Sequence, residues 1–280
     1  MDKAYGNIVL ITGASSGIGK SIAEYLMNEG FSVYGTSRKH PVPEGETKVL
    51  KANHGQGSLE MVQLDVCSEY SIKQAVDYIL QKEGRVDVLI NNAGYGLAGS
   101  VEDITTDEAL KQFDTNFLGV HRMCRYVLPV MRQQKLGLII NISSVAGILS
   151  IPFQSMYSAS KFALEAMTEV MRIEVKPFGI KVVLVEPGDT KTGFTASRQF
   201  AAYANSNSVY YDRFTKSINT MIKDETKGPG PEYVVKIVAK LLRKRNPPVR
   251  TVAGFNYKAF VQLKKIVPSR LVEYVISKMY

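Results

Sequence analysis

A tyrosine, a lysine and a serine have the types and spacing needed to move a proton. Tyr157 and Lys161 are four residues apart, and Ser144 precedes the tyrosine on a separate element. In a helix, the phenol and the ammonium group would share one face, one turn apart. A nearby cation favours the phenolate, so we expect a tyrosine pKa below about 10 and proton exchange with an alcohol or ketone. Ser144 would hold the substrate oxygen.

A glycine-rich turn lies between the first apolar run and the first helical pattern. Glycines at such a turn permit close approach to a pyrophosphate, and the helix N-terminus presents free N–H groups to the anion. Placement between strand and helix makes this signal strong. The predicted phosphate-binding residues are Gly13, Ser15, Ser16, Gly17, Ile18 and Gly19.

The end of the second predicted strand indicates which dinucleotide binds. A carboxylate there would bond a ribose 2′-hydroxyl and repel a 2′-phosphate. The chain instead has Ser37, Arg38 and Lys39. A hydroxyl followed by cations suits the phosphate of NADP(H), so Ser37 and Arg38 are predicted to bind it. Simple solvation is the better interpretation of Lys39.

Apolar runs alternate with helical patterns, which predicts an α/β fold. We expect a Rossmann-type doubly wound parallel sheet of about seven strands with helices on both faces, in one domain spanning 1–280. A substrate lid is expected at about 189–230, a basic C-terminal extension at about 231–280, and an irregular stretch at 39–58. Strands are predicted at 8–12, 31–37, 60–64, 86–90, 138–142 and 181–185, and helices at 16–29, 71–82, 105–134 and 156–176.

Composition excludes several classes of site. The 280 residues are 45% hydrophobic, enough for a sizeable core. Cys67 and Cys124 form no C-x-x-C pattern, and His40, His54 and His121 are scattered, so we predict neither a metal site nor a disulfide framework. No apolar stretch has spanning or signal-peptide length, and we expect a cytoplasmic protein.

Positive charge is concentrated near one end of the sequence. The net charge is +9; residues 226–280 hold twelve Lys or Arg and two Glu, giving 12 − 2 = +10, so the rest carries 9 − 10 = −1. No nucleic-acid-binding motif accompanies this charge, and we predict no nucleic-acid partner. Segment 233–245 is expected to pack on the core, with loose attachment to an anionic membrane as the alternative.

The ordered motifs resemble the short-chain dehydrogenase/reductase family, in its shorter, single-domain branch. They are Thr12-Gly13-x-x-x-Gly17-x-Gly19, Asn91-Asn92-Ala93-Gly94, Ser144, and Tyr157-x-x-x-Lys161, and the match covers about 7–194. The chain also looks similar to members grouped with 17-beta-hydroxysteroid and retinol dehydrogenases.

The resemblance implies roles for four catalytic residues. Tyr157 would be the general acid/base, and Lys161 would lower its pKa and bond the nicotinamide ribose. Ser144 would polarise the substrate oxygen, and Asn116 would support a water joined to the lysine.

Further cofactor contacts are implied in the same way. Asp65 and Val66 would contact the adenine, and Asn92, Ala93 and Gly94 would line the cleft. Pro187, Gly188, Thr190 and Thr192 would hold the nicotinamide carboxamide, whereas Asp189 departs from the family pattern and is expected to point to solvent.

Together these features predict an NADP(H)-dependent oxidoreductase that interconverts a ketone and a secondary alcohol on a mostly apolar small molecule. The alternative is a non-catalytic NADP(H)-binding regulator or scaffold on the same fold. By resemblance, the helices near 107–134 and 156–176 would form contacts in a homodimer or homotetramer.

Overall fold

The apolar runs form strands and the amphipathic segments form helices in the computed structural model of this chain. The structure describes residues 3–39, 49–52, 56–264 and 266–280; His40 and His54, with most of the stretch predicted to be irregular, lie outside them. The strands are β1 (Ile8–Ile11), β2 (Ser32–Ser37), β3 (Val49–Lys51), β4 (Ser58–Gln63), β5 (Val88–Asn91), β6 (Leu97–Ala98), β7 (Gly137–Ile142), β8 (Ile180–Pro187), β9 (Gln199–Phe200) and β10 (Arg250–Ala253). The α-helices are α1 (Gly17–Asn28), α2 (Glu69–Glu83), α3 (Thr106–Phe113), α4 (Gly119–Gln134), α5 (Ser155–Glu174), α6 (Phe194–Ser197), α7 (Tyr211–Lys227), α8 (Glu232–Leu242), α9 (Phe255–Lys264) and α10 (Ser269–Met279).

Eight strands form one sheet in the order β10-β8-β7-β5-β1-β2-β4-β3. Seven of them are parallel, which confirms the predicted doubly wound parallel sheet. The eighth, β3, is an antiparallel edge strand inside the stretch predicted to be irregular. The strand order reverses between β5 and β1, and a parallel sheet binds ligands at the carboxyl ends beside such a reversal.

Each face of the sheet has its own apolar core, because side chains alternate along every strand. Val9 and Ile11 of β1 pack in one cluster with side chains of α1 and α8. Ile8 and Leu10, from the same strand, pack with α2, α4 and α5. Burial on both faces explains why the strands appear as continuous apolar runs in the sequence.

The chain is helical over nearly all of the predicted range 105–134, but the helix is interrupted in the middle. A capping box opens it: Thr105 Oγ1 accepts from the Glu108 N–H, and Glu108 accepts from the Thr105 N–H. Between α3 and α4 the chain forms a π turn, Asp114–Leu118, which contains the buried Asn116. Such turns occur frequently at functional sites.

The basic segment beyond residue 230 is largely part of the sheet and core. Val234, Val238 and Leu241 of α8 are buried, which confirms the predicted core packing, and β10 pairs with β8 along the sheet edge. That strand was not predicted. Among the helices formed by the described residues, none is both long and apolar enough to cross a membrane.

One arginine joins three elements beneath the site. Arg250 of β10 pairs with Glu165 and Glu169 of α5 and with Glu186 of β8; Nη1 lies 2.9 Å from Glu186 Oε1 and Nη2 lies 2.9 Å from Glu169 Oε1. Glu165 and Glu186 are buried. Desolvation and the neighbouring Glu186 raise the pKa of Glu165 above its ordinary value. The guanidinium therefore fixes α5 against the sheet by neutralising acids that water does not solvate.

We expect Arg250→Met to lower the free energy of unfolding at pH 7 by about 2–4 kcal/mol, because it leaves the buried acidic pair of Glu165 and Glu186 without a cation. The deficit should shrink as pH falls, since protonated carboxyl groups need no cation. Urea unfolding at several pH values measures this. Arg125→Met, which breaks an exposed pair with Glu69, is the matched control and should cost under about 1 kcal/mol. Equal losses in the two variants would contradict the prediction.

Candidate active site

A cavity of about 830 Å³ opens at the carboxyl ends of the central strands. It extends from the glycine-rich turn after β1 to the lid formed by α6 and α7. Every predicted site residue lines it except Gly19 and Asn116, which lie just behind its wall. The residues brought together are Gly13, Ser15, Ser16, Gly17, Ile18, Ser37, Arg38, Asp65, Val66, Asn92, Ala93, Gly94, Ser144, Tyr157, Lys161, Pro187, Gly188, Thr190 and Thr192.

The glycine turn is held in a shape that side chains would disrupt. Gly13 and Gly17 have φ of +67° and +56°, in the left-handed region. A Cβ on Gly13 would lie 2.9 Å from Ala93 Cα, and one on Gly19 would lie 2.4 Å from the Gly13 carbonyl oxygen. Ser16 occupies the N-cap of α1 without a side-chain capping bond, so its hydroxyl does not occupy the first N–H groups. The turn therefore fits a pyrophosphate.

Asn92 and Thr12 tie this turn to the strand beside it. Asn92 Nδ2 donates to the Thr12 and Gly13 carbonyl oxygens, each at 3.0 Å. Thr12 Oγ1 accepts from the N–H groups of Asn92 and Ala93 at 3.0 and 3.1 Å. The glycine turn and the segment that begins at Asn92 thus form one rigid unit. Asn92 therefore stabilises the turn and also lines the cavity.

The opposite rim of this end carries both positive charge and a fixed carboxylate. Ser37, Arg38 and Lys39 follow β2 and line the cavity. Ser37 Oγ accepts from the Lys39 N–H at 3.3 Å, which holds the turn. Asp65 lies nearby at the end of β4, with Oδ1 accepting from the Cys67 N–H at 2.9 Å. The rim therefore offers a hydroxyl, two cations and a carboxylate to the adenosine end of a dinucleotide.

The segment after β8 is packed tightly at the other end of the cavity. A Cβ on Gly188 would lie 2.1 Å from the Tyr257 ring, so only glycine fits there. The Thr190 hydroxyl donates to the Gly188 carbonyl oxygen at 2.8 Å and lies 2.6 Å from the Tyr233 hydroxyl. These bonds fix the backbone that would face a nicotinamide.

Tyr157, Lys161 and Ser144 meet where α5 passes the end of β7. The Ser144 hydroxyl accepts from the Ala146 N–H at 3.1 Å and lies beside the Tyr157 phenol, where it favours the ionised form of the phenol. Lys161 Nζ donates to the Ile142 carbonyl oxygen at 2.9 Å and lies 5.9 Å from the centre of the Tyr157 ring. The predicted sharing of one helix face is therefore correct.

The prediction of a lowered tyrosine pKa is wrong for this arrangement. Burial raises the pKa of Tyr157 to about 12, although the hydrogen bond from Ser144 opposes the shift. Burial also lowers the pKa of Lys161 to about 8, with Glu165 one turn further along α5 opposing it. Desolvation outweighs the effect of the cation, whose Nζ points to a backbone carbonyl rather than to the phenol.

Asn116 lies behind the wall and supports it. Its Oδ1 accepts from the Tyr95 N–H at 3.1 Å, and its Nδ2 donates to the Tyr95 carbonyl oxygen at 3.0 Å. A Cβ on Gly94 would lie 3.1 Å from Asn116 Oδ1 and 3.9 Å from Lys161 Nζ. The asparagine is thus separated from the lysine by one glycine.

Sequence reasoning missed the charged groups at the lid end. Glu225 of α7 accepts from the Thr195 hydroxyl at 2.6 Å and pairs with the buried Arg198. Asp189 does not point to solvent as expected: it is partly buried, accepts from the Tyr257 hydroxyl, and has a pKa raised by burial. The Asp189 departure from the family pattern was the one available signal.

Apolar groups cover the rest of this end. The Phe194 ring packs on Tyr157, with ring centres 5.7 Å apart. Met221 lines the cavity and packs with Phe214 in a cluster that joins α7 to Ala98. Side chains of the segment predicted to be a substrate lid therefore line this end, and Phe194 contacts the tyrosine directly.

Comparison with known proteins gives one family throughout. The model described as short chain dehydrogenase matches residues 7–201. A 3-ketodihydrosphingosine reductase of Bacteroides thetaiotaomicron is 42% identical over 274 residues, covering 98% of this chain and 97% of that protein. Human retinol dehydrogenase 8 is 34% identical over 270 residues, covering 92% and 85%.

Solved structures agree. A short-chain dehydrogenase from Streptomyces avermitilis has a TM-score of 0.77 at 31% identity, covering 93% of this chain and 94% of that one. ElxO with NADP bound has a TM-score of 0.70 at 26% identity, covering 90% and 99%. A Burkholderia phymatum short-chain dehydrogenase/reductase in complex with NAD shares the fold, with a TM-score of 0.80 at 24% identity and 95% coverage of both chains. A nicotinamide dinucleotide is the common cofactor of the two complexes.

Gly13→Ala should weaken NADPH binding about tenfold or more, because its Cβ would displace the Ala93 backbone and distort the turn. Gly84→Ala is the matched control: Gly84 also has φ of +70°, and a Cβ there meets nothing within 4 Å. Each variant should lose about 1 kcal/mol of stability from backbone strain. Fluorescence titration with NADPH measures the affinity of each variant. Unchanged affinity in Gly13→Ala would show that the glycine turn does not bind the pyrophosphate.

Proposed function

Because the chain belongs to the short-chain dehydrogenase/reductase family, we propose that it is an NADP(H)-dependent oxidoreductase. It would interconvert a ketone and a secondary alcohol on a mostly apolar molecule. The observation that carries the proposal is the meeting of Ser144, Tyr157 and Lys161 in the wall of a cavity whose other end fits a dinucleotide.

The cofactor would lie along the cavity from the glycine turn to the segment after β8. The α1 N-terminus and the Gly13–Gly19 turn would hold the pyrophosphate. Arg38 and Ser37 would hold the 2′-phosphate of NADP(H), and Asp65 with Val66 would flank the adenine. Pro187, Gly188, Thr190 and Thr192 would bind the carboxamide, and NADPH when bound would supply the hydride.

Tyr157 would act as the proton donor during reduction. Its raised pKa keeps the phenol protonated at neutral pH, which is the form that a forming alkoxide needs. Ser144 would donate a second hydrogen bond to the same oxygen and stabilise its negative charge. Lys161, with a pKa near 8, can gain and lose a proton near neutral pH and would restore the proton of Tyr157 together with Asn116.

The substrate part of the cavity favours an apolar molecule. Ile151, Phe194 and Met221 line it beside Tyr157. The two relatives above are named for a keto group on a sphingoid lipid and for retinol, and both names support an apolar ketone or alcohol. A non-catalytic regulator would not require Ser144, Tyr157 and Lys161 to meet, so we favour the enzyme.

The assembly and location belong to the same proposal. Exposed apolar side chains on α3 and α5 support subunit contacts in a homodimer or homotetramer; they are Leu110, Val170 and Ile173. Two free cysteines fit a cytoplasmic protein, and we propose that the whole chain acts as one domain.

Replacing Tyr157 by Phe should lower kcat about 100-fold to 10,000-fold, because the proton donor is lost while the ring remains. NADPH affinity should remain close to that of the unmodified protein. The assay follows nicotinamide absorbance with a panel of apolar ketones. Tyr126→Phe, which changes a tyrosine bonded to Glu69 on the surface, is the control. Full turnover by Tyr157→Phe would exclude the catalytic role.

Arg38→Asp should raise the KM for NADPH about tenfold or more, because a carboxylate repels the 2′-phosphate, and it should leave the KM for NADH equal or lower. Steady-state kinetics with each cofactor measures the change. Arg125→Asp places the same charge away from the cavity as a control. An unchanged NADPH KM in Arg38→Asp would show that this rim does not select NADP(H).

A further inference from the structure

Helices α9 and α10 and the turn between them carry large apolar side chains that the rest of the described chain leaves open to solvent. Leu263, Ile266, Leu271, Tyr274 and Met279 are each between 50% and 80% exposed. Single exposed apolar residues are common on protein surfaces, but five within 17 residues of sequence are a concentration. We call these five residues the α9–α10 patch.

α10 has apolar residues on two of its sides. Val272, Val275 and Ile276, at helical spacing, are half-buried and face the body of the protein. Leu271 and Tyr274 are also one turn apart, and they are exposed. No residue of α10 is fully buried. The helix thus rests on the body through one side and presents a second apolar side outward.

The patch is surrounded by positive charge. Residues 254–280 contain five Lys or Arg and one Glu, a net charge of 5 − 1 = +4. Lys258, Arg270 and Lys278 are exposed. Lys278 Nζ lies 5.6 Å from the centre of the exposed Tyr274 ring, so an aromatic ring and a cation occur together. Apolar and aromatic groups beside cations are typical of helices that lie in a lipid interface.

The two helices also border the proposed substrate end of the cavity. Tyr257 of α9 and Tyr280, which follows α10, both line the cavity. Tyr280 packs against the cluster that contains Met221 and Phe214 of the lid. The two helices that carry the patch therefore also contribute to the wall of the cavity that contains Tyr157.

α8 is not available for such a contact. The sequence placed its membrane alternative at 233–245, but Val234, Val238 and Leu241 are in the core. The structure thus separates the basic segment into a core helix and a surface pair, and among the described residues of this segment the exposed large apolar side chains lie in or between α9 and α10.

We propose that the α9–α10 patch docks on the surface of an anionic lipid bilayer. Its apolar side chains would enter the headgroup boundary and its cations would pair with anionic headgroups. A second copy of this chain is a poorer occupant, because a symmetric contact would bring the exposed cations Lys258, Arg270 and Lys278 of two copies together.

Vesicle flotation of the full-length chain tests the proposal. At low salt the protein should float with phosphatidylcholine vesicles that contain phosphatidylglycerol, and remain unbound with phosphatidylcholine alone. Leu271→Ser with Tyr274→Ser should reduce partitioning about tenfold or more. The double variant Lys258→Glu/Lys278→Glu should also reduce partitioning onto the anionic vesicles.

Val101→Ser with Val209→Ser, two exposed apolar residues elsewhere, is the matched control and should bind like the unmodified protein. NADPH affinity should be unchanged in all variants, which separates this test from the proposed reaction. Absence of flotation at low salt would overturn the proposal. Equal binding by Leu271→Ser/Tyr274→Ser and its control would overturn it too. If Leu271→Ser/Tyr274→Ser had a different mass in light scattering but floated like the unmodified protein, the patch would be a contact between copies of this chain, and the proposal would be overturned.

Discussion

Burial of α5 against the carboxyl end of the sheet is the constraint on which the rest of the site depends. It removes water from Tyr157 and Lys161 together, which raises one pKa and lowers the other. The helix stays there because Arg250 neutralises acids on α5 and β8 and because Leu164 and Met171 lie in the core. Stability and proton transfer are thus linked through one helix.

The two ends of the cavity are rigid for different reasons. At the phosphate end, backbone and amide hydrogen bonds hold a turn in which glycine is required at Gly13 and Gly19. At the substrate end, side chains of the lid provide the wall, and Phe194 contacts Tyr157 directly.

Much of this could be predicted from the sequence because its signals are local. The strand–turn–helix pattern at Gly13–Gly19, the capping box at Thr105 and the spacing of Tyr157 and Lys161 each depend on neighbouring residues. What was missed depends on distant contacts. The pairs Arg198–Glu225 and Asp189–Tyr257 join residues far apart in the chain, and β3 and β10 are short edge strands with weak patterns. The tyrosine pKa was predicted in the wrong direction because spacing shows a nearby cation but not how deeply both groups are buried.

In the proposed reaction, burial holds Tyr157 protonated so that it can donate its proton to the substrate oxygen. NMR of the protein labelled at the tyrosine Cζ, followed through a pH titration, measures the protonation of this phenol, with Tyr157→Phe used to assign the resonance. We expect a Tyr157 resonance that does not titrate until the pH approaches about 12. A midpoint below about 8, well under the ordinary tyrosine value, would show that the lysine dominates over burial and that the phenol is not held protonated.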